Sequence, residues 1–221
     1  MNKEDPKPPV YYPIFLNIQG KKCVVIGGGQ VGLRKAKMLL QAGANVFVIS
    51  KNPHAEIRKL SKRKAIHLIQ RDYKAGDLKD AVIAIACTDV KEVNRKVADE
   101  AKKAGVLINV ADDPERSDFI TPSLFKRGNL TVAVSTAGVS PALAKKIRMR
   151  LEQTFGEEYS PLLSVIKEVR QELKEQQLRV NTEDWQNALD LDLLTHLIQA
   201  GERQKAKAVL LEKLKPSREG P

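Results

Sequence analysis

The sequence has 221 residues, of which 42% are hydrophobic and 5% aromatic, and its formal net charge is +11. This length and apolar content exclude a disordered chain, and the longest apolar runs are too short to span a membrane. The polar, Pro-rich start of the chain predicts no signal peptide, and two cysteines cannot form a disulfide framework, so we expect a cytoplasmic protein without a membrane partner.

The first half of the chain alternates short apolar runs with helical patterns, which is typical of parallel βαβ units. Apolar runs without alternation fit strands that are buried on both faces of a sheet. The predicted order is strand 22–26, helix 30–42, strand 46–49, helix 53–63, strand 66–69, strand 81–86, helix 90–104 and strand 106–110.

The pattern changes after residue 110, where one more strand is predicted over 130–135. Ser140 and Ser160 are each followed by proline, and a serine N-cap with proline at the first helical position is typical of a helix start. Asn181 is predicted to cap a helix over 183–199, and a last helix is predicted to end near residue 214, before a frayed tail after residue 216.

These elements predict an α/β fold class in three parts. A Rossmann-like parallel sheet occupies residues 1–113, a small α+β segment occupies 114–150, and a C-terminal helical domain occupies 151–221. The excess of positive charge lies in residues 1–150, whereas 151–221 carry slightly more acidic than basic side chains. A basic protein can bind nucleic acid or a polyanionic small molecule, but this chain has no aromatic platform or recognition-helix motif, so we predict no nucleic-acid partner.

A glycine-rich turn follows the first strand and opens the first helix. Gly27, Gly29 and Gly32 form the pattern G-x-G-x-x-G, in which the first glycine permits the tight turn, the second lets the backbone approach a pyrophosphate, and the third allows close helix packing. A turn that merely needs flexible glycines is the alternative. In this strand–turn–helix context we predict a dinucleotide site on the helix N-terminus, formed by Gly27, Gly28, Gly29, Gln30, Val31 and Gly32.

The end of the second strand lacks the acidic residue that usually binds the ribose of NAD. Ser50 or Asn52 can bond the ribose hydroxyls instead. Lys51 either holds a 2′-phosphate, which would favour NADP, or belongs to a surface loop. The residues alone leave NAD and NADP open.

Polar residues also follow the fourth and fifth strands. Thr88, Asp89 and Asn109 are predicted to face the cofactor cleft, because ligands bind at the carboxyl ends of parallel strands. Asp89 can alternatively cap the following helix. Asp112 is a candidate general base, and a turn before Pro114 is its structural alternative.

Several ordered motifs identify a family resemblance over residues 11 to 151. They are Tyr12-Pro13-Ile14-Phe15-Leu16, Gly27-Gly28-Gly29-Gln30-Val31, Ala36-Lys37, Ala42-Gly43-Ala44, Ala86-Cys87-Thr88-Asp89 with Asn94, Asn109-Val110-Ala111-Asp112-Asp113-Pro114, Phe119-Ile120-Thr121-Pro122 and Ser140-Pro141-Ala142-Leu143-Ala144. With these motifs the chain resembles precorrin-2 dehydrogenase, the NAD-dependent module of siroheme synthase.

The resemblance implies oxidation of the tetrapyrrole precorrin-2 to sirohydrochlorin in siroheme biosynthesis, with ferrochelatase activity in some relatives. It implies NAD as cofactor, since family members also lack the acidic ribose residue, with contacts at positions matching Gln30-Val31 and Lys51-Asn52. It implies Asp112 as the catalytic residue and a homodimer in which residues 114–150 interlock. At 221 residues we expect no fused methyltransferase domain.

Substrate carboxylates can bond to Ser135, Thr136 and Ser140, although a helix cap is the simpler role for Ser140. Ala137 departs from the glycine that family members often carry there. The three histidines lie far apart in sequence, so no metal site is predicted. An NAD-sensing Rossmann module without catalysis is the alternative to an enzyme.

Overall fold

The computed structural model describes residues 10–214, which divide into two compact units, one ending at Thr121 and the other beginning at Pro122. The first unit contains β1 (Lys22–Ile26), α1 (Gln30–Gln41), β2 (Asn45–Ile49), α2 (Ala55–Lys62), β3 (His67–Ile69), β4 (Ile83–Ala86), α3 (Lys91–Ala104), β5 (Leu107–Val110) and a 3-10 turn (Pro114–Arg116).

The five strands form one parallel sheet in the order β3-β2-β1-β4-β5, which confirms the predicted Rossmann-like architecture. Alternate side chains of β1 enter two core layers, because successive residues of a strand point to opposite faces. Cys23 and Val25 pack with α1 and α2, whereas Val24 and Ile26 pack with α3. The helices therefore cover both faces of the sheet.

The chain adds strands on one side of β1 first, as β2 and β3, and then on the other side, as β4 and β5, so the order of the parallel strands switches at β1. At such a switch point the connections leave in opposite directions and a crevice opens at the carboxyl ends of the strands. The Gly-rich turn after β1 and the polar residues after β4 and β5 all lie along this edge of the sheet.

The second unit contains an antiparallel pair and five helices. Its elements are β6 (Ser123–Arg127), β7 (Leu130–Val134), α4 (Pro141–Thr154), α5 (Tyr159–Glu175), α6 (Thr182–Ala188), α7 (Leu191–Gln199) and α8 (Arg203–Leu214). The core among the last four helices contains Leu162, Val165, Val169 and Leu173 of α5, whose spacing of three and four residues places them on one helix face.

Three sequence expectations fail in this unit. Strand β6 was not predicted, although the two residues between it and β7 include Gly128 at a φ of +56°. Ser160 does not cap α5, which begins two residues earlier than predicted, at Tyr159 after the N-cap Glu158. The predicted helix over 183–199 is two helices, because Asp190 accepts a hydrogen bond from Leu193 N at 3.1 Å and caps a new start.

The Pro161 position explains why the Ser160 signal misleads. Pro161 is the third residue of α5, where backbone N–H groups have no intrahelical partner, so a proline there costs no hydrogen bond. The caps at Ser140 and Asn181 are confirmed, since their side chains accept from Leu143 N and Asp184 N.

No helix within residues 10–214 has both the length and the apolar character to cross a membrane. The tail predicted to fray after residue 216 lies outside the described residues. The predicted division at residues 113 and 150 stays a prediction.

Candidate dinucleotide-binding and active site

The Gly-rich turn is packed tightly on its inner side. Gly27 has a φ of +113°, and a Cβ built on it would lie 2.7 Å from the carbonyl carbon of Cys87. A Cβ on Gly28 would lie 2.6 Å from Ser50 Oγ. A side chain at either position would collide with the backbone after β4 or with the chain after β2, so only glycine fits this path.

Gly29 presents the opposite situation. It precedes α1 as its N-cap, and a Cβ on it would meet nothing within 4 Å among the described residues. No side chain in the described part of the chain caps α1, and the helix N-terminus carries the positive end of the helix dipole. An open glycine face beside uncapped N–H groups fits a pyrophosphate.

Gly32 sets the distance between α1 and the turn. A Cβ on Gly32 would overlap the carbonyl oxygen of Gly27 and lie 3.3 Å from Cys87 Sγ. The third glycine of the motif therefore permits the close helix packing expected from the sequence. Gln30 and Val31, the first two residues of α1, are both exposed.

The chain after β2 lies beside this turn. His54 N donates to Gly28 O at 2.8 Å, and Ser50 packs against Gly28. Lys51 and Asn52, between them, are exposed. The three polar residues predicted to contact the cofactor are therefore brought next to the predicted phosphate turn, with Ser50 innermost.

A buried asparagine shapes the end of β4. Asn94 is 8% exposed; its Oδ1 accepts from Thr88 N at 3.1 Å and from Thr88 Oγ1 at 2.8 Å, and its Nδ2 donates to Thr88 O. These bonds fix Thr88 at the sheet edge. The N-cap of α3 is Val90, so the alternative that Asp89 caps this helix is wrong.

The end of β5 carries a cluster that includes a residue missed by sequence reasoning. Lys35 Nζ on α1 donates to Asn109 Oδ1 at 3.1 Å and to Thr121 Oγ1 at 2.7 Å. Asn109 Nδ2 donates to Phe119 O at 2.9 Å, so the Asn109 amide bonds within the protein at both ends. Burial lowers the pKa of Lys35, and the neighbouring Arg34 charge adds to that effect while Cys87 opposes it. The sequence signal that could have indicated Lys35 is its spacing, because Lys35 follows Gly32 by three residues and so lies on the same face of the helix.

Asp112 lies in the loop after β5 at a φ of 61°, a left-handed conformation that aspartate tolerates better than most residues. It is exposed at the rim of a cavity of about 480 Å³ between the start of α3 and this loop. The lining residues that bear on the site are Thr88, Asp89, Asn94, Arg95, Asp112 and Arg116.

The neighbours of Asp112 have structural roles. Asp113 accepts from Arg116 N and pairs with the Arg116 guanidinium at 2.9 Å, as expected of a turn residue. Asp118 Oδ2 accepts from Ile108 N at 3.0 Å. Asp112 and Asp113 both line the cavity, but the Asp113 carboxylate is bonded to Arg116, so Asp112 is the loop carboxylate considered for catalysis.

The predicted substrate residues lie in the second unit. Ser135 Oγ accepts from Ala137 N at 3.0 Å, Thr136 Oγ1 accepts from Ser140 N at 3.0 Å, and Ser140 Oγ caps α4. Ala137 takes a φ of 51°, which strains a residue with a Cβ. Each of the three hydroxyl groups thus accepts a backbone N–H of this loop or of α4, and the capping role proposed for Ser140 is confirmed.

Cys23 and Cys87 are neutral thiols in the first unit, because burial raises the pKa of each to about 11. Within residues 10–214, no group of three or more His, Cys, Asp or Glu side chains is arranged to hold a metal ion.

The fold and the glycine turn define a Rossmann-type dinucleotide-binding protein, and comparison with known proteins agrees. Residues 14–123 match a family described as putative NAD(P)-binding, and residues 127–154 match one described as sirohaem biosynthesis protein central. The chain carries both family models in this order and is similar to siroheme synthases, which confirms the resemblance and the nicotinamide cofactor expected from sequence.

Individual relatives define the extent of the similarity. The siroheme synthase of Nitrosococcus oceani is 36% identical over 202 residues, which cover 90% of this chain and 43% of the relative. The siroheme synthase of Chromobacterium violaceum is 40% identical over 152 residues, or 69% of this chain and 32% of the relative. The chain spans less than half the length of these curated relatives.

A solved structure covers nearly all of the described fold. The structure of SirC, a precorrin-2 dehydrogenase, superposes with a TM-score of 0.69 at 26% sequence identity, over 92% of this chain and 98% of that one. The similarity thus includes both units and not the dinucleotide-binding domain alone.

Proposed function

We propose that this chain catalyses the NAD-dependent oxidation of precorrin-2 to sirohydrochlorin. The observation that carries the proposal is Asp112, an exposed carboxylate at the rim of the cavity beside the sheet edge that receives the dinucleotide. Similarity to SirC over almost its full length supports the same reaction.

The oxidation removes a hydride and a proton from the reduced tetrapyrrole. NAD supplies the hydride acceptor when it is bound. The N–H groups at the start of α1 would hold its pyrophosphate across Gly29, and the residues after β2, among them Lys51 and Asn52, would bind its adenosine ribose. Thr88, fixed by Asn94, lines the cavity beside Asp112 and would contact the bound cofactor.

Asp112 accepts the proton in this proposal. A carboxylate can act as a general base when it lies within hydrogen-bond reach of the proton, and the loop after β5 presents Asp112 while Asp113 and Asp118 are held in local bonds. Ser135, Thr136 and Ser140 bind substrate carboxylates in the same proposal, with the +11 net charge drawing the polyanionic substrate toward the protein.

The test is turnover of precorrin-2 by the purified full chain with NAD, followed by the spectra of NADH and sirohydrochlorin appearing one for one. Replacing Asp112 by Asn should lower kcat by roughly 10²- to 10⁴-fold and leave the Kd for NAD within about twofold. The exposed Glu115 on the same loop offers a matched control, and Glu115→Gln should leave kcat unchanged.

Two results would contradict the proposal at different levels. Wild-type protein that binds NAD but forms no sirohydrochlorin, where another precorrin-2 dehydrogenase works, excludes the enzyme and favours an NAD-sensing module. Full activity of Asp112→Asn excludes Asp112 as the base and leaves the reaction itself standing.

We further propose that the chain acts in the cytoplasm as a homodimer, as the family resemblance implies for residues 114–150. Light scattering during gel filtration at micromolar concentration tests this, and a mass of one chain, about 24.6 kDa, would contradict it. Insertion of ferrous iron stays a prediction, tested by adding Fe²⁺ after the oxidation is complete and following the loss of the sirohydrochlorin spectrum.

A further inference from the structure

The Lys35 ammonium lies in an unusual environment. It is half-buried on α1, and its two hydrogen-bond acceptors, Asn109 Oδ1 and Thr121 Oγ1, are neutral. None of the ion pairs within residues 10–214 involves Lys35. Removing a charge from water without an opposite charge nearby costs free energy. A gain in stability therefore does not account for the position of the Lys35 amine.

The two acceptors lie at the two ends of one loop. Asn109 precedes the Asp112 loop on β5, and Thr121 follows it after the chain has returned. Asn109 Nδ2 also donates to Phe119 O, which joins the ends of the loop directly. The Lys35 amine therefore bonds to both ends of the loop that carries Asp112, and so connects these two ends with α1.

The third partner in this connection is the helix itself. Lys35 lies on α1 five residues after Gln30, where the helix begins at the Gly-rich turn. The helix that presents its N–H groups to the pyrophosphate is thus bonded by one side chain to the loop that presents the carboxylate.

We propose that Lys35 is a positioning residue that couples the dinucleotide turn to the Asp112 loop. It acts through Asn109 and Thr121 and not by contact with substrate. Its catalytic consequence rests on the proposed oxidation of precorrin-2, whereas its effect on the loop does not.

The test compares Lys35→Met with Lys37→Met in the full chain. Lys37 is exposed on the same helix, so its replacement controls for loss of a positive charge from α1. Hydrogen exchange of the amides in residues 108–121, measured with and without NAD, reports the loop directly. We expect exchange about 10-fold faster in Lys35→Met and wild-type exchange in Lys37→Met.

Steady-state kinetics provides the second measurement. Lys35→Met should lower kcat by roughly 10- to 100-fold, in the range found when a supporting residue is removed, while the Kd for NAD changes by less than about threefold. Combining it with Asp112→Asn should add little further loss, because both changes remove the same contribution, whereas a general loss of structure would add to the Asp112 effect.

Thr121 keeps the proposal testable if Lys35→Met fails to fold. Thr121→Val removes one acceptor and should move exchange and kcat in the same direction, and Thr121→Ser, which keeps the hydroxyl group, should restore both. Loop exchange in Lys35→Met equal to that of Lys37→Met overturns the proposal. Absence of wild-type turnover would instead contradict the proposed function, and the exchange result would still decide the role of Lys35.

Discussion

The contrast between Gly29 and Gly32 gives the sharpest prediction for the dinucleotide turn. Both glycines belong to the same motif, but a methyl group at Gly29 enters open space, whereas a methyl group at Gly32 would lie 2.9 Å from the carbonyl carbon of Gly27. Gly29→Ala should therefore affect ligand binding alone, and Gly32→Ala should affect folding and binding together.

The magnitudes follow from these two environments. Gly29 has a φ of −75°, which alanine adopts freely, so its replacement should change stability by less than about 1 kcal/mol. The added methyl group would hold a pyrophosphate away from the N–H groups, and we expect at least a tenfold weaker NAD complex, or about 1.4 kcal/mol. Gly32→Ala forces α1 away from backbone atoms, at a cost of about 2–3 kcal/mol and a Tm lower by roughly 5–15 °C.

Calorimetry supplies both quantities from the same preparations. NAD titration of each variant gives Kd, and thermal scans without ligand give Tm, with Gly29→Ala serving as the stability control for Gly32→Ala. Wild-type affinity in Gly29→Ala would refute the placement of the pyrophosphate over this glycine. A wild-type Tm in Gly32→Ala would refute the close contact between α1 and the turn.

Further predictions concern single groups. Burial raises the pKa of Cys87 to about 11 from 9.0, so its thiolate is about 100-fold scarcer near neutral pH. Iodoacetamide should therefore label Cys87 slowly in the native protein and at the ordinary rate in guanidinium. Rapid labelling of the native protein would contradict the burial of this thiol. The hydrogen bond from Arg71 lowers the pKa of Asp77, so the ionised carboxylate stabilises the fold above its ordinary pKa, and this stabilisation decreases as the pH falls. Asp77→Asn should lower Tm at pH 7, and the difference in Tm from wild type should vanish in acid. A difference in Tm that stays constant with pH would refute the ionic cause. Ser140→Ala should cost about 1 kcal/mol in chemical denaturation by removing the cap of α4, and Ser140→Thr should recover most of it.

The sequence predicts the first unit well because its signals are local. Each strand is a short apolar run, and α3 ends at Gly105, which takes a φ of 67° as a helix-terminating glycine should. Strand β6 escapes the same reasoning, since only Phe125 of its five residues is buried and its polar neighbours resemble a loop. Its signal was the Gly-Asn pair at residues 128 and 129, a two-residue turn typical of a hairpin.

Local sequence signals also indicate only some of the residues of the candidate site. The position of the glycine turn after β1 and of Asp112 after β5 could be predicted, because a motif or a resemblance marks each of them, and the roles of these residues stay predictions. Lys35 was not predicted: its spacing from Gly32 indicates only its helix face, its partners lie 74 and 86 residues further along the chain, and a lysine on a helix normally faces solvent. Asn109 was predicted to face the cofactor, but its amide bonds to Lys35 and Phe119; whether it also contacts the dinucleotide stays a prediction.

The close contact between Gly27 and the backbone of Cys87 has a consequence for biosynthesis of the protein. Gly27 rests against the backbone of Cys87, a residue 60 positions later, and Cys87 N reaches back to Ile26 O at 2.8 Å. A nascent chain that has emerged only as far as β3 contains the whole glycine motif but not the surface that shapes it. Because pairing of β1 with β4 closes this long loop, the ability to hold a nucleotide arises only after the ribosome has released the fourth strand.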